Sequence, residues 1–383
     1  MKYVWPIVKF GDVVKNVNLV ERDPLDAGLE RFVGLDHLEG ENLHIRRWGL
    51  IDGSDTTFTK LFRRGQVLFG KRRAYQRKVA VAEFDGICSS DILTFEPKGD
   101  TLIPELLPFI VQSDGFFEHA LGTSAGSLSP RTRWSQLADY TFPLPPKDEQ
   151  RRIADILWAA DGAYQGAISV CRSLELLLRT SVLDALRGTV TGSGNAGYVQ
   201  VSLGDLFKDR RETGFPQLPI LSVTIDGRVV RRESLERQVI DKTGNDKYLR
   251  VVEGDIAYNT MRMWQGSCGI VGEEGIISPA YTVLIPDPRR ADARYWHFAF
   301  HTPEMLEWFR RYSTGVAADR WRLYYRDFGK IRVHAPPLGK QRSLARVFQD
   351  LEVRIGEATA HVDTTGALMK TLINSLTVPS AKE

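Results

Sequence analysis

The chain has 383 residues, which is enough for two or three domains with separate hydrophobic cores. Its composition, 43% hydrophobic and 26% charged, is that of an ordinary globular protein and argues against a disordered chain. No apolar run approaches the roughly 20 residues that a membrane-spanning helix needs, and a net charge of +3 is too small to indicate nucleic-acid binding by itself.

The first residues lack a charged segment followed by an apolar stretch, so no signal peptide is expected. The three cysteines, Cys88, Cys171 and Cys268, have neither metal-binding nor disulfide spacing. This cysteine usage fits the reducing cytoplasm, which is the expected location.

Residues 1–142 predict a mixed α/β globule, because short apolar runs alternate with turn residues. The runs at 67–69, 79–82 and 92–95 predict strands, and residues 104–119 predict a short helix. Residues 198–335 repeat this plan, with strands at 255–258, 269–271 and 281–285 and a helical segment at 291–312.

Each globule precedes a segment with helical periodicity, within residues 143–187 and 336–377. Apolar side chains recur every three or four residues over 147–187, and no proline interrupts them. A helix of this length would extend roughly 60 Å, too far to be buried in one small domain. Residues 338–376 supply the partner helix, and the Gly-rich segment 188–197 predicts a flexible linker.

The chain is an internal duplication. Pro145-Pro146-Lys147-Asp148-Glu149-Gln150-Arg151 and Pro336-Pro337-Leu338-Gly339-Lys340-Gln341-Arg342 lie about 190 residues apart, and each opens a long helical pattern. Other short matches follow at nearly the same offset, such as 65–69 with 254–258. The expected fold class is α+β: two mixed α/β domains joined by two long helices in an antiparallel coiled coil, with pseudo-twofold symmetry.

No motif for catalysis is present. The sequence lacks a phosphate-binding GxxxxGK[ST] loop, a GxGxxG turn, an HExxH pair and a CxxC pair. His297 and His301 stand one helical turn apart, but without a third ligand at suitable spacing a structural role is favoured over a metal site. We therefore expect no enzymatic activity, no cofactor and no metal.

A Pro-Pro-x-x-x-Gln box that opens a long helix, occurring twice after globules of similar size, resembles the specificity subunits of type I restriction-modification systems. The resemblance covers essentially the whole chain and includes the segments 65–69, 124–128 and 142–153. It implies two target-recognition domains, at 1–142 and 198–335, that each read one half of a bipartite site in double-stranded DNA. It also implies that the chain itself has no catalytic activity.

The same resemblance implies the partners. The helical segments would act as a spacer and would dock two adenine-methyltransferase subunits, which hold S-adenosylmethionine; a separate motor subunit would serve restriction. The second copy departs from the pattern because Leu338-Gly339-Lys340 lacks the acidic pair Asp148-Glu149. Acidic residues favour a first helical turn, and Gly339, Gly356 and Gly366 weaken the second helix further.

Four stretches, in two corresponding pairs, are candidate DNA contacts within this resemblance. The loop 71–78 carries five cations with a tyrosine and a glutamine, which suits phosphate contacts and base-edge reading. The counterpart at 259–266 has one cation and more amide and aromatic character; here Trp264 and the methionines could equally be core. The second pair precedes the two Pro-Pro boxes, at 124–133 and 314–322, and each of these stretches could equally be a turn that caps the next strand.

The predicted DNA-binding residues are Lys71, Arg72, Arg73, Tyr75, Gln76, Arg77, Lys78, Ser124, Ser127, Arg131, Arg133, Asn259, Thr260, Arg262, Trp264, Gln265, Thr314, Arg320 and Arg322. The predicted subunit-docking residues are Pro145, Pro146, Glu149, Gln150, Arg151, Pro336, Pro337, Gln341 and Arg342. The alternative function is a coiled-coil adaptor whose globules bind proteins and not DNA.

Overall fold

A computed structural model describes residues 5–52, 56–126, 128–188, 197–235, 245–315 and 321–375. The chain forms two compact units. Unit one comprises Met1–Ile168 with Ala360–Glu383, and unit two comprises Ser169–Thr359. None of the helices in the described ranges is both long enough and apolar enough to span a bilayer.

Unit one contains eleven described strands and four short helices. The strands are β1 (Ile7–Lys9), β2 (Val14–Val17), β3 (Leu19–Val20), β4 (Arg31–Val33), β5 (Gly49–Leu50), β6 (Lys60–Phe62), β7 (Val67–Gly70), β8 (Val79–Val81), β9 (Gly86–Cys88), β10 (Ile92–Pro97) and β11 (Thr141–Pro143). The helices are α1 (Phe10–Val13), α2 (Leu107–Gln112), α3 (Asp114–Gly122) and α4 (Trp134–Leu137). The long helix α5 (Lys147–Arg187) begins in unit one and ends in unit two.

Unit two repeats this inventory. Its described strands are β12 (Val199–Ser202), β13 (Phe207–Asp209), β14 (Ile220–Val223), β15 (Val229–Arg231), β16 (Leu249–Val251), β17 (Ile256–Asn259), β18 (Cys268–Ile270), β19 (Gly275–Ile277), β20 (Tyr281–Pro286) and β21 (Arg332–Ala335). Its helices are α6 (Leu203–Leu206), α7 (Ala293–Phe300), α8 (Pro303–Tyr312), α9 (Tyr325–Phe328) and the first part of α10 (Leu338–Ser375), which ends in unit one.

The sheet topology confirms the internal duplication predicted from the sequence. The antiparallel sheet β2-β10-β7-β8 of unit one has the strand order of β13-β20-β17-β18 in unit two. The order β6-β9-β4-β5 corresponds to β16-β19-β14-β15. Each of these two sheets contains a parallel pair at the same place, β4 with β9 in unit one and β14 with β19 in unit two. Unit one adds the edge strand β3 to this second sheet.

Each unit is layered in the same way. Apolar side chains fill the space between its two main sheets, for example Phe62 and Leu68 in unit one and Val251 and Ala257 in unit two. A larger, aromatic-rich core lies between the four-stranded sheet and the helices. The loops that follow β7 and β17 are therefore held by strands that are buried on both faces of their sheet.

The predicted helical segments 104–119 and 291–312 are each broken into two helices, which corrects the sequence prediction. Ser113 ends α2 and caps α3 by accepting a hydrogen bond from the Phe116 amide at 3.3 Å. Thr302 does the same for α8, accepting from the Met305 amide at 3.4 Å. A hydroxyl at the N-cap satisfies a backbone donor that would otherwise lack a partner.

The long helices agree with the predicted bounds of 147–187 and 338–376 to within a residue. Within unit one, Ala154 and Leu157 of α5 share the core with Met369 and Ile373 of α10. Within unit two, Val182 and Ala185 of α5 share the core with Ala345 and Phe348 of α10. In each unit α5 is therefore paired with the opposite end of α10, which is the antiparallel sense. The coiled coil as a whole, like the predicted domain bounds, remains a prediction.

An ion-pair cluster fastens α5 to the globule of unit one. The His44 ring contacts the Asp161 carboxylate on α5 through Nε2 at 2.7 Å and Glu83 through Nδ1 at 2.9 Å. The Asp161 contact, reinforced by Glu83, raises the pKa of His44 to about 8 against the opposing effect of burial. In unit two an arginine pair joins the C-terminal end of α5 to α8, Arg187 Nε with Glu304 Oε1 at 2.6 Å.

Two other sequence expectations concern the histidine pair and the linker. The His297 and His301 rings lie 4.6 Å apart, and the His301 Nδ1 donates to the His297 carbonyl. Across the described ranges, no group of three or more His, Cys, Asp or Glu side chains could hold a metal ion. The predicted linker, apart from Gly188 and Gly197, lies outside the described residues.

Candidate nucleic-acid interface

The structure joins the two basic stretches of unit one into one surface, which we call the first loop pair: residues 71–78 with 124–133, excluding Ser127, which lies outside the described residues. The loop 71–78 connects β7 to β8. Arg72 forms a β-bridge with Arg131, the Arg73 amide donates to the Pro130 carbonyl at 2.8 Å, and the Thr132 amide donates to the Lys71 carbonyl at 3.1 Å.

A single 3₁₀ turn, Ala74–Gln76, sits at the tip of loop 71–78. It is flanked by Arg73 and Arg77, whose φ angles of 55° and 50° are uncommon for residues with a side chain. The turn buries Ala74 and leaves Tyr75 56% exposed. Tyr75 is therefore presented at the surface, as a base-contacting role would require, whereas Gln76 is only partly exposed.

Two of the predicted DNA-binding cations are instead committed to the protein. The Arg77 guanidinium pairs with Glu41 at 2.9 Å and Asp114 at 2.8 Å, and it lies 4.6 Å from the centre of the Phe117 ring. The Lys78 ammonium donates to the Leu35 carbonyl at 2.5 Å. These interactions stabilise the loop from beneath, which differs from the DNA contact expected from sequence.

Two of the other cations, Arg72 and Arg131, lie beside one carboxylate, Asp91, which no sequence pattern indicated. Arg131 donates to it through Nε at 2.9 Å and Nη2 at 3.3 Å, and Arg72 Nη1 lies 3.6 Å away. The hydrogen bond from Arg131 lowers the pKa of Asp91 below its ordinary value. Arg133 is exposed, whereas the Ser124 hydroxyl is used internally and donates to the Ala120 carbonyl.

Unit two builds the equivalent surface, the second loop pair, from residues 259–266 with 314–322, of which 316–320, including Arg320, lie outside the described residues. Thr314 and Arg322 exchange backbone hydrogen bonds, and the Leu323 amide donates to the Thr260 carbonyl at 2.9 Å. These bonds match those of Ala125 with Arg131 and of Thr132 with Lys71 in unit one.

The side chains of the second loop pair are less charged. Arg262, Gln265 and Arg322 are exposed, and neither arginine forms an ion pair with a described residue. Trp264 is partly buried, packs edge-on against Trp321 at 5.6 Å, and donates to the Met261 carbonyl. Met263 is fully buried in the core, whereas Met261 is exposed.

Two residues predicted to bind DNA in this loop have internal roles. Thr260 is buried, and its hydroxyl donates to the Ala280 carbonyl at 2.8 Å. The Asn259 side chain accepts from the Met261 amide at 3.0 Å, which closes the turn. Thr314 is exposed. The exposed polar side chains of the second loop pair are therefore Arg262, Gln265, Thr314 and Arg322.

The glutamines of the two Pro-Pro boxes are interior, which corrects the expectation that they lie on a docking face. Both are 1% exposed. Gln150 accepts from the Ile103 amide and donates to the Thr101 and Pro145 carbonyls, all at 2.9 Å. Gln341 makes the same three bonds with the Asp292 amide and the Arg290 and Pro336 carbonyls. Each glutamine thus fixes the start of a long helix to its globule.

The remaining predicted docking residues divide in the same way in both copies. Pro145 and Pro336 are buried, whereas Pro146 and Pro337 are exposed. Arg151 and Arg342 are exposed, and Arg151 pairs with Asp148 at 2.8 Å. Glu149 pairs with Arg152, which lowers the pKa of its carboxyl. Its counterpart by position is a cation, Lys340, which lies 4.9 Å from the centre of the Tyr198 ring.

Comparison with known proteins gives a family model, a curated relative and solved structures that this chain resembles. Residues 39–165 match the family model described as "Type I restriction modification DNA specificity domain". This stretch contains the first loop pair and the first Pro-Pro box. The specificity subunit of the type I restriction enzyme EcoDI from Escherichia coli is 25% identical over 197 residues, a match that covers 50% of this chain and 44% of the relative's length.

Two solved structures share the fold. The S subunit of a type I restriction-modification system from M. genitalium has a TM-score of 0.57 and 13% identity, covering 100% of this chain and 98% of that one. A chain from a study of assembly and conformational transition of the type I R-M system has a TM-score of 0.55 and 19% identity, covering 97% and 96%. These matches confirm the resemblance to type I specificity subunits and the mixed helix-and-sheet fold.

Proposed function

We propose that this chain is the DNA specificity subunit of a type I restriction-modification complex and has no catalytic activity of its own. Each unit reads one half of a bipartite site in double-stranded DNA, unit one through the first loop pair and unit two through the second. The observation that carries the proposal is the duplication of one surface: in both units a loop after a buried strand is hydrogen-bonded to the stretch that precedes a Pro-Pro box.

The chemistry of these surfaces supports DNA as the ligand. The first loop pair exposes Tyr75, Arg131 and Arg133 and leaves Gln76 partly exposed, and the second exposes Arg262, Gln265 and Arg322. Arginine and lysine contact phosphates, and arginine, glutamine and asparagine are the side chains that pair bidentately with guanine or adenine edges. Both surfaces therefore have positive charge, which favours binding to phosphates, and forked polar side chains, which can distinguish one base from another.

The long helices would serve as spacer and docking surface. Helices α5 and α10 are each continuous over their bounds, and each has in its first turn a buried glutamine that ties it to its globule. We propose that they form an antiparallel coiled coil that fixes the gap between half-sites. Their exposed faces, including Glu149, Arg151 and Arg342, would dock two adenine-methyltransferase subunits, with motor subunits joining where restriction occurs.

Methylation mapping tests this function. The full chain is co-expressed with a candidate adenine methyltransferase, and methylated adenines are located across genomic DNA. A single motif of two short half-sites separated by a fixed gap is expected. Absence of copurification and of site-specific methylation, with both proteins folded, would instead favour the protein-binding adaptor.

Salt dependence gives a second, independent test with the chain alone. Binding to a duplex that contains the mapped motif should weaken linearly on a log–log plot against salt, because phosphate contacts release counterions. Lys71→Ala should reduce that slope by about one, since one phosphate contact is lost. Gln265→Ala, which removes no charge, is the matched control and should leave the slope unchanged. Affinity that is independent of salt would contradict DNA binding.

A further inference from the structure

Asp91 has the geometry of a group that orients an arginine and not merely one that neutralises it. Its two carboxylate oxygens take the Nε and Nη2 donors of Arg131, at 2.9 and 3.3 Å. The Asp91 side chain is only 17% exposed, whereas the Arg131 side chain is 48% exposed. A largely buried carboxylate thus holds a guanidinium that projects toward solvent.

This pairing leaves one side of the Arg131 fork available. A guanidinium has five N–H donors in a fixed plane, and a carboxylate that binds the Nε side occupies two of them. Asp91 leaves the donors at the far end of the fork unused and holds the half-exposed guanidinium in one orientation. Two parallel donors at that spacing match O6 and N7 of guanine in the major groove.

Arg72 strengthens the arrangement from the other side. Its Nε donates to the Ser129 hydroxyl at 2.6 Å, and its Nη1 lies 3.6 Å from Asp91 Oδ2. Two cations therefore share one carboxylate, so the cluster keeps a net positive charge that attracts DNA. The backbone bridge between Arg72 and Arg131 holds both side chains on the same face of the first loop pair.

Unit two lacks this carboxylate. The Lys71 amide donates to the Asp91 carbonyl at 2.9 Å, and the equivalent Thr260 amide donates to the Ala280 carbonyl at 3.2 Å. Ala280 therefore occupies the position of Asp91, just as Arg322 occupies that of Arg131. The Arg322 side chain is exposed and forms no ion pair with a described residue.

We propose that Asp91 is a positioning residue that presents Arg131 to a guanine in the half-site read by unit one, and that Arg322 makes no equivalent preorganised contact in the other half-site. This inference rests on the proposed function and adds to it one base, one reading residue and one orienting residue. A fixed fork loses less conformational entropy on binding and rejects bases whose acceptors do not match it.

The experiment is selection of binding sites from a randomised duplex library by the full chain, with non-specific affinity measured on a scrambled duplex. Asp91→Ala should reduce preference for guanine at one position of one half-site by roughly tenfold or more. Affinity for scrambled DNA should rise, because a negative charge is removed from the DNA-facing surface. A purely structural role would lower both.

Two further variants make the test specific. Arg131→Lys keeps the charge but not the fork, so it should lose the same guanine preference while non-specific affinity is retained. Asp85→Ala is the matched control, since Asp85 pairs with Arg63 at 2.8 Å at the opposite end of β8 and its loss changes net charge equally. It should leave the selected motif unchanged.

The outcomes separate the two proposals. A wild-type motif that Asp91→Ala and Arg131→Lys leave intact would overturn the role of Asp91 while the proposed function stands. Loss of both half-sites together in Asp91→Ala would also overturn it, since that result indicates a folding defect. Selection of no motif by the folded wild-type chain would overturn the proposed function itself.

Discussion

The two units share one scaffold and differ in how their surfaces are charged. Strand order, the paired backbone bonds of the loops and the buried glutamines occur in both. In unit one the first loop pair holds three of its arginines with acidic partners, Asp91 for Arg72 and Arg131 and Glu41 with Asp114 for Arg77. In unit two the corresponding surface relies on a Trp264–Trp321 contact and leaves Arg262 and Arg322 without ion pairs to described residues.

This difference separates what the fold requires from what a ligand requires. Buried backbone groups must be hydrogen-bonded in either unit, so the same glutamine solves the same problem twice. Exposed loop side chains have no such constraint, and their charge can change without cost to the core. The charge of the first turn of the long helices can change in the same way, since Glu149 on α5 corresponds to Lys340 on α10.

If the two units share one scaffold, the two buried glutamines should contribute equally to the stability of their units. Gln150→Ala and Gln341→Ala each leave one amide and two carbonyls without their partner, and we expect each to destabilise its own unit by about 2–3 kcal/mol. The measurement is hydrogen exchange of the Ile103 and Asp292 amides, which bond the two side chains. Each substitution should speed exchange in its own unit.

Gln349→Ala is the matched control, because Gln349 lies on α10 with an exposed side chain. It should change exchange at neither amide. A loss below about 0.5 kcal/mol for either buried glutamine, the range typical of surface substitutions, would mean that the corresponding helix is fixed by apolar packing alone.

The charge difference between the loop pairs can be reduced by one substitution. Ala280→Asp places a carboxylate where unit one has Asp91, and the exposed position of Ala280 leaves room for it. We expect Arg322 to become oriented and the half-site of unit two to gain a guanine preference of about 1 kcal/mol, roughly fivefold. Ala280→Asn, of similar size but uncharged, should give a smaller change. A selected motif identical to wild type in both variants would show that Arg322 cannot reach a base edge.

Local patterns in the sequence predicted both long helices and six of the 21 described strands. The apolar periodicity of α5 gave both of its ends, and the strands at 67–69 and 281–285 were located to within a residue or two. The breaks at Ser113 and Thr302 were missed, although Thr302-Pro303 is a recognisable helix start: a hydroxyl N-cap followed by proline at the first helical position.

The site was predictable only at the level of segments. Both basic stretches of unit one were identified, but the sequence could not tell which of their cations are available. Arg77 is neutralised by Glu41 and Asp114, and Arg131 is oriented by Asp91, partners that lie tens of residues away in the chain. The sequence places Gln150 on a docking face for the same reason, because its backbone partner Ile103 is brought close only by folding.

The smallest expected difference between the units is in their response to pH. His44 joins the globule of unit one to α5 through Asp161 and Glu83, and its pKa is raised to about 8. A raised pKa means that the folded state binds the proton more tightly than the unfolded state. The stabilisation is therefore complete below about pH 6.5 and is lost as the pH rises through about 8. Because the side chain is partly exposed, we expect a loss of about 1 kcal/mol.

Unit two has no equivalent dependence at its attachment, since Arg187 with Glu304 keeps its charges throughout this range. Hydrogen exchange at pH 6.5 and 8.5, corrected for the intrinsic rate, should show weakened protection in unit one alone. His44→Gln should abolish the pH difference, and His361→Gln, at an exposed position on α10, should preserve it. Equal weakening of both units in the wild type would indicate a general charge effect and remove His44 as its cause.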